Sequence, residues 1–233
     1  MSSTTQQPKV LFVLTSHDQM GTSGKPTGWY LPEFAHPYEI LAPHAQITVA
    51  SVAGGASPLD PASIDAAQDE VSVKFLKTRE SLWKNTKPIA DFVGKAEEYN
   101  AIFFVGGHGP MFDLAHNATS HRIISEFHAK NRIIAAVCHG PAALAYVKLP
   151  SGKFLLENVA VTGFSNAEES NYGVDGVMPF ELETALNQAS NGKFQKSKEN
   201  YEANVVVDGK IITGQNPASA EGVGEAILAQ LRK

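Results

Sequence analysis

Ile133-Ile-Ala-Ala-Val137 runs directly into Cys138-His139-Gly140-Pro141, and the reading of this stretch decides the fold. A short apolar run rich in β-branched residues suits a strand buried on both faces of a parallel sheet. It breaks at a cysteine, passes through a glycine, and meets a proline where the first turn of a helix tolerates one. Residues 142–147 read as that helix. Strand, tight turn and helix in succession are the logic of a nucleophile elbow, which lifts one side chain above the sheet.

Working outward, the same grammar repeats. Apolar runs at 10–14, 47–51, 101–105 and 159–162 read as further strands. Residues 29–41, with Pro32 near the start and Pro43 at the end, read as a helix. So do a segment capped by Thr119 or Ser120 with Ile123, Ile124 and Phe127 inward, and residues 181–189 before Asn191-Gly192. Asp208-Gly209 between two β-branched runs predicts a hairpin over 205–213, and Pro217 opens a last helix to about Leu231. Residues 21–28 read as a loop, and residues 54–93 as a turn-rich entry into mostly helical decoration. Strands alternating with helices predict an α/β protein: a mostly parallel central sheet covered by helices on both faces. One domain over 1–233 is expected, with a flexible N-terminus over 1–9.

Composition narrows the function classes. The 233 residues carry 19 Lys+Arg against 24 Asp+Glu, a net charge of −5, which offers no basic stripe for a nucleic-acid backbone. The longest apolar runs are far short of the ~20 residues that span a bilayer, so no membrane partner is expected. The single cysteine excludes an internal disulfide, and the N-terminus lacks a basic start followed by an apolar stretch. A cytoplasmic protein is the expectation.

A lone cysteine is most often a small buried hydrophobe. Three features move Cys138 toward chemistry: its place at a turn, the imidazole of His139 beside it, and a helix start behind it whose dipole would favour the thiolate. At the neighbouring strand end, Gly106-Gly107-His108-Gly109 is neither a dinucleotide fingerprint nor a phosphate loop. It either turns the chain or offers an N–H that, with that of His139, forms an oxyanion hole. Among the eight histidines no metal-binding spacing stands out except Glu33-Phe-Ala-His36, which has no evident third ligand. No metal or organic cofactor is expected. Glu168 and Glu169, in the loop after residues 159–162, are candidates to orient an imidazole, and Glu33 is a candidate to donate a proton toward the sulfur. The residues alone do not choose among 24 acids.

Ala-Val-Cys138-His139-Gly-Pro, preceded by Val-Gly106-Gly107-His108-Gly109, resembles the ThiJ/PfpI superfamily. Thr27-Gly28 with Glu33 and His36-Pro37, Thr162-Gly163-Phe164 before Glu168-Glu169, and Thr213-Gly214-Gln-Asn216-Pro217-Ala-Ser219 narrow the resemblance. They are similar to its glyoxalase III branch, also described as heat-shock-protein-like chaperones. The resemblance implies a flavodoxin-like sandwich with Cys138 as nucleophile, His139 as base, Glu169 as the acid orienting it, and Glu33 against the thiol. It matches the Gly107 and His139 amides to the oxyanion hole and sets His108 at the substrate. The activity implied is a lyase of the 2-oxoaldehyde hydro-lyase (D-lactate dehydratase) class, converting methylglyoxal to lactate without glutathione or cofactor. It also implies a homodimer. Alternatives are a stress-induced holdase acting on unfolded clients, and a protein deglycase or cysteine peptidase using the same thiol. Peptidase action would be opposed if residues 54–93 cover the site.

Overall fold

The computed structural model describes residues 7–174 and 176–233. Most of the flexible N-terminus expected over 1–9 lies outside these residues, but Lys9 already opens the first strand. The strands are β1 (Lys9–Leu14), β2 (Gln46–Ser51), β3 (Lys87–Pro88), β4 (Ala101–Phe104), β5 (Ile133–Val137), β6 (Val205–Asp208) and β7 (Ile211–Gly214). They form one sheet in the order β3-β2-β1-β4-β5-β7-β6, parallel throughout except for the antiparallel β6–β7 hairpin. Without the edge strands β3 and β6, the order is 2-1-3-4-5, the flavodoxin-like winding. The sequence expectation of a mostly parallel α/β sheet is met. No described helix is long and apolar enough to cross a membrane.

The helices are α1 (Leu31–Leu41), α2 (Pro61–Ala66), α3 (Glu70–Thr78), α4 (Ser81–Lys84), α5 (Pro110–Asp113), α6 (Ala118–Ala129), α7 (Ala142–Ala145), α8 (Asn166–Tyr172), α9 (Leu182–Ala189) and α10 (Ala220–Leu231). The continuous apolar runs are explained by burial on both faces: every residue of β1 from Val10 to Leu14 and every residue of β4 is fully enclosed. On one face α1 packs on α10 and α3, and Phe12, Phe34, Trp29, Phe75 and Trp83 interlock there. The 54–93 segment reaches the β2 edge through β3 and packs α3 against α1.

Three expectations are corrected. The strand expected at 159–162 is an extended loop with one bridge, Val161 to Phe194. Side chains take the place of a ladder there: Asp208 accepts from the Ala160 N–H and Thr213 Oγ1 from the Thr162 N–H, both at 2.8–2.9 Å. The cap of α6 is Asn117, whose side chain accepts from the Ser120 N–H at 3.0 Å, so neither Thr119 nor Ser120 fills that role. Glu168 and Glu169 stand on α8 and not in a loop.

Candidate active site

The strand order reverses at β1, and ligands in such sheets bind outside the carboxyl ends of the strands next to that reversal. Three segments leave the sheet there: residues 27–33 beyond β1, the 106–109 turn after β4, and Cys138 after β5. Cys138 has φ = 60°, in the left-handed region that a side-chain-bearing residue rarely occupies. Its N–H donates to the Gly214 carbonyl and its own carbonyl accepts from the Phe164 N–H, both at 2.9 Å, which fixes the turn from two sides. Gly140 is required by contact, since a Cβ there would overlap the Phe104 carbonyl oxygen. These features make the expected elbow.

The helix behind it differs from the expectation. Only four residues, α7, follow the turn, and the Ala142 and Ala143 N–H groups donate back to the His139 and Gly140 carbonyls at 3.0 Å. One helical turn with its amides so occupied contributes little dipole at the sulfur. The polar neighbours of the thiol are instead side chains and the Gly107 amide.

Cys138 Sγ lies 3.2 Å from His139 Nδ1, and His139 Nε2 lies 2.8 Å from Glu169 Oε2. The other oxygen of Glu169 is 3.2 Å from His108 Nε2, so one carboxylate serves two imidazoles whose rings sit 4.3 Å apart. Burial opposes ionisation of Glu169, but the two histidines, His139 foremost, outweigh it and hold the carboxyl well below the usual carboxylate range. His108 is lowered by burial and by the charge of His139 against the pull of Glu169, which favours its neutral form. A neutral His108 donating from Nε2 leaves a buried, unpartnered lone pair at Nδ1.

Glu33 is fully buried on the other side of the sulfur. Burial pushes its carboxyl well above the ordinary range, and Asp60 adds to this. Only the Cys138 thiol and the Gly106 and Gly107 amides pull the other way. Neither of its oxygens completes a well-formed hydrogen bond among the described residues. Burial therefore favours the protonated form of Glu33. Burial pushes the Cys138 thiol up and an ionised Glu33 would push it further. A protonated Glu33 removes that repulsion and faces the sulfur as a donor. Gly106 makes the approach feasible, because a Cβ there would strike both a Glu33 oxygen and the Cys138 Cβ. Gly107, at φ = 94°, packs its Cα against the Gly28 carbonyl.

A cavity of about 90 Å³ opens above the sulfur, walled by Tyr30, Phe164, Tyr172, Tyr201 and Pro217. None of these walls comes from the 54–93 segment, contrary to the cover considered for it. The walls are not legible in the sequence, where an aromatic in a loop carries no periodic signal. One local signal separates Glu168 from Glu169: Ser165-Asn-Ala-Glu168 is a capping box, which commits Glu168 to the start of α8. For a metal, donor atoms of His108, His139 and Glu169 lie within 4.8 Å of one another. The Glu33–His36 pair does not converge, since Glu33 faces the thiol and His36 pairs with Asp69 at 3.2 Å.

A thiol on a left-handed elbow, an adjacent imidazole and a carboxylate from a separate helix, all on a 2-1-3-4-5 sheet, define an α/β protein with a Cys-His-Glu centre. The model of the DJ-1/PfpI family matches residues 32–230, and the chain belongs to that family. It is 33% identical to the glutathione-independent glyoxalase hsp3102 of Schizosaccharomyces pombe over 89% of this chain and 90% of the relative. Among solved structures, the Rapid Encystment Protein 24 KDa of Francisella tularensis superposes with a TM-score of 0.90 at 41% identity, covering 96% of this chain and 99% of that one. Glyoxalase III of Candida albicans superposes with a TM-score of 0.85 at 27% identity, covering 96% and 97%.

Proposed function

We propose that this chain is a glutathione-independent glyoxalase that converts methylglyoxal to lactate, with Cys138 as the covalent nucleophile. The observation that carries the reading is the small cavity of about 90 Å³ over a thiol already in contact with an imidazole. A space this small, ringed by aromatic walls, suits a three-carbon dicarbonyl better than a peptide chain. The kinship with proteins named as glyoxalases points the same way.

The chemistry follows from the neighbours of the sulfur. His139 takes the Cys138 proton at Nδ1, and Glu169 stabilises the imidazolium formed. The thiolate adds to the aldehyde carbon of methylglyoxal, and the new alkoxide is received by the N–H groups of Gly107 and His139. His139 gives the proton it holds to this alkoxide, forming a hemithioacetal. Neutral again, it removes the proton from that carbon to give an enediol and returns it to the adjacent carbon, while the hemithioacetal hydroxyl proton passes to the former ketone oxygen. The product is a thioester of lactate. Water hydrolyses it to lactate and regenerates the thiol, so the net change is addition of one water and the ketone serves as electron sink. His108 lines the cavity, and its Nδ1 lone pair accepts from a hydroxyl of the enediol. With one cysteine and no disulfide to form, the reaction suits the cytoplasm.

Lactate formation from methylglyoxal by purified protein, without added thiol, tests the reading. Cys138→Ala should abolish it. Lactate production that survives this change, or none from the wild-type chain, would overturn it.

A further inference from the structure

We propose that Tyr201, held in place by Glu168, sets the size limit of the substrate, admitting short 2-oxoaldehydes and excluding aryl ones. This proposal rests on the glyoxalase reading.

Tyr201 is a wall of the cavity and has φ = 64°, a second side-chain-bearing residue of this site in the left-handed region. Nothing about a loop tyrosine demands that conformation, so its surroundings must impose it. Glu168 does so twice. Its Oε1 accepts from the Tyr201 N–H at 2.8 Å, and its main-chain carbonyl accepts from the Tyr201 hydroxyl at 3.0 Å. The phenol is thereby pinned at both ends.

Glu168 itself has no solvent contact and is saturated with donors. Its Oε1 also accepts from Asn216 Nδ2 at 2.8 Å, while Oε2 accepts from the Ser165 N–H and hydroxyl at 2.9 and 2.8 Å. One carboxylate thus ties together the start of α8, the turn at Tyr201 and the segment at Asn216-Pro217. All three carry cavity walls, Tyr201, Pro217 and, on α8, Tyr172, and α8 carries Glu169 as well. Glu168 touches neither the sulfur nor His139. It is a positioning residue, and what it positions is the boundary of the cavity.

The Tyr201 ring stands 6.2 Å from that of Phe164, which in turn lies 4.5 Å from the His139 ring. Tyr201 is 43% exposed, so it forms the outer wall, and its truncation opens the cavity toward solvent and not into the core. Removal of the Tyr201 phenol makes room for an aromatic ring attached to the dicarbonyl while leaving Cys138, His139 and Glu169 in place.

The test compares kcat/KM for methylglyoxal and phenylglyoxal in the wild type, Tyr201→Ala, Tyr201→Leu, Tyr201→Phe and Glu168→Gln. In the alanine and leucine variants the phenylglyoxal-to-methylglyoxal ratio should rise roughly 10-fold or more, the scale of discrimination that steric pockets achieve. Tyr201→Phe keeps the ring and the N–H bond to Glu168, and should keep the wild-type ratio. Glu168→Gln should move the ratio in the same direction as the alanine variant, through KM and with little change in kcat, a split that plain destabilisation does not produce. A ratio unchanged in both truncations, with near-ultraviolet dichroism intact, overturns the gate while methylglyoxal turnover still supports the glyoxalase reading. A wild-type chain that turns over neither aldehyde overturns both.

Discussion

Glu33→Gln exchanges one carboxyl oxygen for an amide nitrogen at a position with no solvent contact, so shape and neutrality are retained while the titratable proton is lost. In the native chain burial holds the Glu33 proton well above the ordinary carboxylate range, whereas the unfolded chain releases it near the usual value of about 4.3. Above that pH the native state binds one more proton than the unfolded state. Linkage then makes stability fall as pH rises, and the contribution of Glu33 is complete only below the unfolded value. The steepest slope one proton gives is ~1.4 kcal/mol per pH unit, so across pH 5–7 the loss on this account is bounded at roughly 3 kcal/mol. Set against a typical total of 5–15 kcal/mol, that loss is large.

The glutamine variant lacks the slope. Its stability relative to the wild type should climb steadily from pH 5 to pH 7 and level to a constant packing difference below about pH 4. Guanidinium unfolding at several pH values reads this, with the buried Trp29 and Trp83 as fluorescence probes. All other titrating groups are common to both chains and cancel in the difference. Repeating the pair in a Cys138→Ala background removes the thiol from the comparison. Parallel stability profiles for the wild-type and Glu33→Gln chains across pH 5–7 would refute a protonated Glu33, and with it the account of how the thiol is spared a neighbouring negative charge.

Glu169→Gln should lower kcat by roughly 10²- to 10⁴-fold with little change in KM, because the amide no longer holds the His139 tautomer or stabilises its cation; steady-state kinetics on methylglyoxal check this. The depressed Glu169 carboxyl contributes stability above the unfolded carboxylate value that is lost as pH falls through the native one, so the Glu169→Gln chain should show a shallower acid-side decline below pH 4 in the same unfolding experiment. Gly140→Ala forces a Cβ into the Phe104 carbonyl and should cost more than ~2 kcal/mol, read as a fall in the thermal midpoint. His108 should stay neutral at pH values below the usual 6.5 or so for histidine, as followed by its ring resonances in nuclear magnetic resonance.

The sheet was legible because parallel strands enclosed on both faces must be apolar end to end, and 10–14, 101–105 and 133–137 read that way. The run at 159–162 has the same composition and is not a strand. What decides its state is distant: Asp208 and Thr213 satisfy its amides with side chains, and no local pattern encodes a partner 48 or 51 residues away. The helix cap at Asn117 was available locally, since Asn117-Ala-Thr-Ser120 places an acceptor three residues before the amide it binds.

The site divides along the same line. Cys138, Gly140 and Pro141 announce an elbow because the turn is made by consecutive residues. The acids are a different kind of problem, since a carboxylate has meaning only against the group it meets. Glu168 and Glu169 are adjacent, and successive residues on a helix point about 100° apart, so one can face the site and the other the core. The capping box settles which is which: Glu168 at the third helical position must turn back to Ser165, and Glu169 is thereby aimed at the imidazoles. The paired acids thus divide the work. Glu168 caps the helix and fixes the cavity wall, a cap that glutamine can also fill, while Glu169, one residue on, faces the imidazoles.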